Sequence, residues 1–389
     1  MPYRRILKYI CPMDSYIVSA RKYRPQTFES VVGQSHITDT LKNAIRKQQV
    51  GQAFLFCGPR GVGKTTCARI LAKTINCQNL PDDLNPCGEC ESCKGFQENH
   101  SFNIHELDAA SNNSVDDIRN LVDQVRYAPQ VGSKSVYIID EVHMLSTQAF
   151  NAFLKTLEEP PAHAIFIMAT TEKHKIIPTI LSRCQIYDFK RVGVQDISSH
   201  LAYIADKESI KTEPEALHTI ALKADGAVRD ALSIFDRLVS FSDEGLTYTA
   251  TIEHLNILDY DYFFKFTDLI LEKNSGAALL TFNEVLEKGF DGQIFLGGMA
   301  SHFRDLLVCK QEATLELLEV TDQVKEKYKE QAGKVPTDLI YAWLEISAEA
   351  EVNYRASKNK RLLVELCLLQ WIGAIDHGSK KKSDTHSQG

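Results

Sequence analysis

Up to about residue 190 the chain alternates short apolar runs with longer stretches of helical periodicity. Phe54-Leu55-Phe56-Cys57, Ile104–Leu107, Ser135–Ile139, Ala164–Ala169 and Gln185–Phe189 are short enough to be strands. Between them Cys67, Ile70, Leu71 and Ile75 share one helical face, as do Val115, Ile118, Leu121, Val122 and Val125. Ser114 can cap the second of these helices, with Asp117 three residues on. Phe150, Phe153, Leu154 and Leu157 mark another helix, stopped by Pro160-Pro161. Leu41–Gln49 also suits a helix, whereas Ser19–Gln34 has no simple period and reads as an extended, packed segment. Strands and helices in alternation predict a parallel α/β sheet with crossover helices.

From about Val194 the strands stop. Helical patterns follow at Val194–Glu208, Pro214–Ala224 and Val228–Ser242, and again throughout Asp259–Ile375. These changes predict an α/β domain over 16–193, a small helical domain over 194–256 and a larger helical domain over 257–375. The polar tail 376–389, with Lys380-Lys381-Lys382, reads as disordered. Met1–Cys11 carries Arg4, Arg5 and Lys8 but no long apolar core and no small-residue cleavage site. With Met13 just upstream of the first recognisable segment, residues 1–15 read as a leader, an upstream extension or a mis-assigned start.

Composition narrows the class. The 389 residues suit two or three domains, and 44% hydrophobic with 24% charged residues is the balance of a soluble globular protein. The net charge of −7 excludes a global nucleic-acid signature, so any DNA contact must be local. No apolar run reaches the ~18 residues of a membrane span; Leu362–Ile375 is interrupted by Glu365 and Gln370.

Three groups of residues carry chemistry. Gly58-Pro59-Arg60-Gly61-Val62-Gly63-Lys64-Thr65, followed by Thr66, fits G-x-x-x-x-G-K-[ST] between a strand and a helix. Its glycines let backbone N–H groups turn inward around phosphate oxygens. Lys64 can reach the β- and γ-phosphates of a nucleoside triphosphate, and the Thr65 hydroxyl can hold Mg²⁺. Asp140-Glu141-Val142-His143 closes an apolar strand. Beside a phosphate loop, Asp140 is the candidate for the Mg²⁺ side and Glu141 for the base that polarises the attacking water. Cys77, Cys87, Cys90 and Cys93 give C-x₉-C-x₂-C-x₂-C, with Gly88 easing the turn. Four thiolates suit tetrahedral Zn²⁺ with no open position, a structural site, in preference to unrelated thiols or a redox pair. Cys57, Cys67, Cys184, Cys309 and Cys367 fall at apolar-patterned positions and read as core; Cys11 falls in the leader.

These motifs occur in order with Leu154-Lys155-Thr156-Leu157-Glu158-Glu159-Pro160-Pro161, Ala169-Thr170-Thr171, Ser182-Arg183-Cys184 and Gly226-x-x-Arg229-Asp230. In that arrangement the chain resembles the gamma/tau family of bacterial DNA polymerase III, the motor subunits of sliding-clamp loaders. The likeness is very close over 16–236 and looser to about 373, and the cysteine insertion is its most discriminating feature. The resemblance implies an AAA+ α/β P-loop domain with a zinc-binding insertion, a small helical lid, and an all-α collar that oligomerises. It implies that Thr171 is sensor 1, that Arg229 is sensor 2 reaching ATP from the lid, and that Arg183 is an arginine finger acting in trans. It also implies that Arg21, Arg24, Pro25 and Val32 lie around adenine. The implied activity is ATP hydrolysis in a nucleotidyltransferase holoenzyme, without a polymerase active site in this chain. The implied partners are the delta and delta prime subunits, further gamma/tau copies, the sliding clamp and primer–template DNA, in the bacterial cytoplasm and not at a membrane. A longer tau product would extend past the lysine run. A Holliday-junction motor would need a winged-helix region after the lid, and Asp259–Ile375 shows no strand-turn-strand pattern. A scaffold that merely binds nucleotide would keep the loop but not turn ATP over.

Overall fold

The computed structural model describes residues 17–98, 101–129, 132–241, 245–255 and 257–383. The leader, with Met13 and Cys11, and the last six residues of the tail lie outside them. The chain divides into two compact units, 1–246 and 247–389.

The first unit opens with α1 (Ser19–Lys22) and α2 (Ser35–Arg46). There follow β1 (Ala53–Cys57), α3 (Lys64–Asn76), α4 (Glu91–Gln97), β2 (Ile104–Asp108), α5 (Val115–Val125), β3 (Ser135–Asp140), α6 (Thr147–Glu158), β4 (Ala164–Thr170), α7 (Pro178–Leu181) and β5 (Gln185–Asp188). The five strands form one sheet in the order β2-β3-β4-β1-β5, and every neighbouring pair is parallel. Successive residues of the inner strands serve opposite faces. Phe54, Phe56, Val136, Ile138, Ile165 and Ile167 pack with Ile37 and Leu41 of α2 and Cys67, Ile70 and Leu71 of α3. Leu55, Cys57, Tyr137, Ile139, Phe166 and Met168 pack with Ile118 and Leu121 of α5 and Phe150 and Phe153 of α6. Both faces of the sheet are therefore covered, which is why these strands are apolar at consecutive positions. The capping box at α5 forms as the sequence predicts, with Ser114 and Asp117 each bonding the other's backbone.

Two segments differ from expectation. Residues 19–22, expected to be extended, make one helical turn, anchored where the Ser19 N–H donates to Asp236 at 2.7 Å. A partner 217 residues away leaves no local pattern. The helix expected at Leu41–Gln49 starts earlier, at Ser35, because Ile37 and Thr38 are also buried. It ends before Gln48, whose φ of 55° breaks the helix. Three further helices, α8 (Val194–Lys207), α9 (Pro214–Lys223) and α10 (Val228–Phe241), complete this unit. They bury Ile197, Leu201, Ile204, Leu217, Ile220, Phe235 and Leu238 against one another.

The second unit consists of α11 (Tyr248–His254), α12 (Tyr260–Leu271), α13 (Ser275–Glu287), α14 (Gly292–Val308), α15 (Asp322–Lys334), α16 (Thr337–Tyr354) and α17 (Lys360–Ser383). It contains no strand among the described residues, so the wing of a winged-helix is absent from them. The boundary falls at 246/247, not the expected 256/257: the Tyr248 hydroxyl bonds Asp259 at the start of α12 and ties α11 to this unit. Helix α17 also runs through Ser383, past the predicted end at 375 and into the segment expected to be disordered. No proline follows Lys360 to stop it. No described helix is long and apolar enough to cross a membrane.

The core of this unit has a polar centre. Trp343 and Trp371 each donate an indole N–H to the other's carbonyl, at 2.8 and 3.2 Å. His302, 1% exposed, lies 3.0 Å from the Tyr328 hydroxyl and 2.9 Å from Gln331 Oε1. Burial pushes its pKa down to about 3. The folded chain thus keeps His302 neutral while the unfolded chain takes up a proton near 6.5, so stability present above that pH is lost as pH falls below it. The melting temperature of the full chain should drop on acidification from neutral pH. His302→Gln should lower it at neutral pH but flatten the dependence; thermal melts across a pH series test this.

Candidate functional site

Strand β1 ends at the C-terminal edge of the sheet, and residues 58–63 turn there before α3 begins at Lys64. Gly58 has a φ of 146°, and a Cβ on it would stand 2.4 Å from the Phe189 carbonyl oxygen. Gly61 has a φ of 77°, with its Cβ position 3.0 Å from Ala227. Neither place admits a side chain without strain. The loop feeds a 13-residue helix, whose N-terminus favours an anion. Lys64 is buried beneath it, with Nζ donating to the carbonyls of Gly58 at 2.8 Å and Pro59 at 2.7 Å. Burial lowers its pKa, and Glu141 and Asp140 oppose that shift.

The acidic residues come from the end of β3, two strands away from β1 in the sheet. Thr65 Oγ1 donates to Asp140 Oδ2 at 2.7 Å, so the two groups expected on the Mg²⁺ side touch. Their hydroxyl and carboxylate oxygens are the hard donors that Mg²⁺ prefers. Glu141 has left-handed backbone, φ 47°, and its N–H bonds Asp140 Oδ1 at 2.9 Å. Such a conformation is costly for a residue with a side chain and is characteristic of functional turns. Glu141 Oε2 accepts from Thr171, from N–H at 3.3 Å and Oγ1 at 3.0 Å. Thr171 follows β4 directly, so sensor and base candidates are joined through adjacent strands.

A cavity runs from this cluster to the helical part of the same unit. Arg60, Gly61, Val62, Gly63, Lys64, Thr65, Thr66, Asp140 and Glu141 line its phosphate end. Of the residues expected around the base, Arg24, Pro25 and Val32 line it and Arg21 does not. The single turn of α1 puts Ala20 and Tyr23 on that wall, three residues apart, and leaves Arg21 exposed. Helix α10 adds Val228, Arg229 and Leu232, and the Arg229 N–H donates to the Gly61 carbonyl at 3.3 Å. Helix α8 adds His200, whose pKa burial lowers. Sequence reasoning missed Ala20, His200 and Leu232, because only the docking of helices remote in sequence brings them here.

Arg183 is not among the lining residues. It lies just past α7, donating to the Thr179 carbonyl and to Glu158 Oε1, both at 2.7 Å. The four cysteines converge elsewhere: the Sγ atoms of Cys77, Cys87, Cys90 and Cys93 all lie within 4.8 Å of one another. Tetrahedral Zn–S bonds of ~2.3 Å require comparable spacing, so the set fits a zinc ion. The backbone N–H of Cys90 points at Cys87 Sγ, 3.3 Å away, and holds that thiol below its ordinary pKa. The donor Cys87 N–H lies 3.4 Å from Cys77 Sγ. Cys57, Cys67 and Cys367 are buried, and Cys184 and Cys309 half-buried.

A parallel sheet with a phosphate loop after β1, an Asp-Glu pair after β3 and a helical lid bonded to the loop define an AAA+ P-loop ATPase domain. Profiles of three families match the chain: "DNA polymerase III, delta subunit" over 33–193, "DNA polymerase III clamp loader subunit, ATPase lid domain" over 196–244, and "DNA polymerase III subunits gamma and tau domain III" over 249–383. DNA polymerase III subunit tau of Bacillus subtilis is 43% identical over 356 residues, covering 92% of this chain and 63% of that one. DNA polymerase III subunit gamma of Buchnera aphidicola is 35% identical, covering 93% of this chain and 100% of its own. The chain belongs to the DNA polymerase III gamma/tau family. It spans 55% of the Escherichia coli tau subunit, at 38% identity. Among solved structures, the RuvB Holliday junction branch migration motor of Thermotoga maritima aligns with a TM-score of 0.46 and 21% identity, over 64% of this chain and 80% of that one.

The cavity separates two neighbouring arginines. Arg24→Ala should weaken ATP binding several-fold, whereas Arg21→Ala should leave it unchanged; a fluorescent-nucleotide titration of both variants decides it.

Proposed function

We propose that the chain is the ATPase motor subunit of a DNA polymerase III clamp loader. ATP binding favours an assembly that opens the sliding clamp and admits primer–template DNA, and hydrolysis releases the closed clamp. The observation that carries the catalytic part is the joined set Thr65–Asp140 and Thr171–Glu141, of which Thr65, Asp140 and Glu141 line the end of the cavity and Thr171 stands behind Glu141. Glu141 takes the proton of a water that attacks the γ-phosphorus as the bond to the ADP oxygen breaks. Lys64 and the loop N–H groups bind the phosphates, and Thr171 orients Glu141 and the water. Mg²⁺, held by Thr65 and Asp140, would neutralise phosphate charge. Arg229 contacts the nucleotide from the lid, and Arg24, Pro25 and Val32 surround the base.

Arg183 acts on the ATP of an adjoining subunit. Its place outside this chain's own cavity supports that reading. Its contact with half-exposed Glu158 is easily exchanged for phosphate, since such surface pairs contribute little. The second unit is the collar, joining delta, delta prime and further gamma/tau copies in a cytoplasmic polymerase holoenzyme. DNA enters the assembled ring and is read by its phosphates more than its bases. The four cysteines hold structural Zn²⁺.

In the assembled loader with clamp and primed DNA, Glu141→Gln should lower ATP turnover by on the order of 10²-fold or more and retain ATP binding. Intact turnover would leave the chain a nucleotide-binding scaffold. In mixed assemblies, Arg183→Ala should slow hydrolysis at the adjoining subunit's site; slowing at its own site alone would reject the trans role. Elemental analysis should find one zinc per chain, lost together with thermal stability in Cys90→Ser. Metal-free wild-type protein would reject the zinc assignment.

A further inference from the structure

His143 lies two residues beyond Glu141, in a 3₁₀ turn over Val142–Met144. Its side chain is 6% exposed and sits between two carboxylates. Nδ1 is 3.1 Å from Thr170 Oγ1 and 3.4 Å from Glu141 Oε2, and Nε2 is 3.3 Å from Glu172 Oε1. Thr170 Oγ1 in turn accepts the Glu172 N–H at 3.0 Å. Glu172 is held from its outer side by Lys175 at 2.9 Å. Residues 141 and 143 are thus closed against 170, 171 and 172 in one polar ring. Glu141 lines the nucleotide cavity and His143 does not, so the imidazole reaches that cavity only through Glu141.

We propose that His143 is a positioning residue for Glu141. Seated on Glu172 and Thr170, the ring backs the Glu141 carboxylate and, with the two Thr171 donors, limits the directions it can point. A flexible glutamate on left-handed backbone needs such support, because a displacement of about 1 Å at a reacting group can cost on the order of 10²-fold in rate. The inference rests on Glu141 being the base.

The test uses the full chain in the assembled loader, with ATP turnover, ATP binding and melting temperature measured together. His143→Ala should lower kcat about tenfold or more, with KM and the ATP dissociation constant unchanged. Glu172→Ala, at a half-exposed position that does not threaten folding, should lower kcat in the same way but less. The double variant should be no slower than His143→Ala alone, since both changes remove one support. Wild-type kcat in Glu172→Ala, or additive losses in the double variant, would overturn the proposal. So would a loss in His143→Ala that follows KM and melting temperature together. Glu141→Gln serves as the control: if it hydrolyses ATP normally, the base assignment fails first; if it is inactive while His143→Ala is not, only the positioning role fails.

Discussion

The hydrogen bond from Thr65 to Asp140 is the contact on which the site depends. It joins the first turn of α3 to the end of β3, two strands away from the strand that carries the loop. It can form only if β1, β4 and β3 end at the same level. The register does this: Cys57 pairs with Thr170, and Ile139 with Met168. Strand β4 lies between the other two, so its next residue, Thr171, emerges where Glu141 turns. A slip of one residue in any of these pairings would exchange the buried faces of the strand and part the site at once. Stability and site geometry are therefore fixed by the same ladder.

The parts legible in the sequence are those with a local cause. Apolar runs gave the strands, 3.6-residue periodicity gave α3, α5, α6 and the lid helices, and Ser114 with Asp117 marked a real cap. The phosphate loop and the clustered cysteines are local as well, because their spacing is their geometry. What was not legible has a remote cause. The order β2-β3-β4-β1-β5 depends on which edge each crossover takes, and the strands are too alike in composition to announce it. The turn of α1 depends on Asp236, and with it the choice of Ala20 and Tyr23 over Arg21 for the cavity wall. His200 enters from a helix whose sequence pattern describes only its own buried face.

The cysteine segment shows how a closed metal-type cluster can serve chemistry it does not touch. Cys77 is the cap just past the end of α3, and Lys64 the residue at which the helix begins. Midway, Arg69 pairs with Glu106 of β2 at 3.2 Å and lies over the Phe96 ring of α4, 4.9 Å from its centre. Phe96 is itself buried in the layer that holds Cys67, Ile70 and Leu71. The segment between α3 and β2 is thus bound to the phosphate helix along its length. A helix held at its C-terminal end, along its flank and against the sheet presents its N-terminus in one place. That fixes where Lys64 and Thr65 stand relative to Asp140, and a rigid anion site loses less conformational freedom when a triphosphate binds.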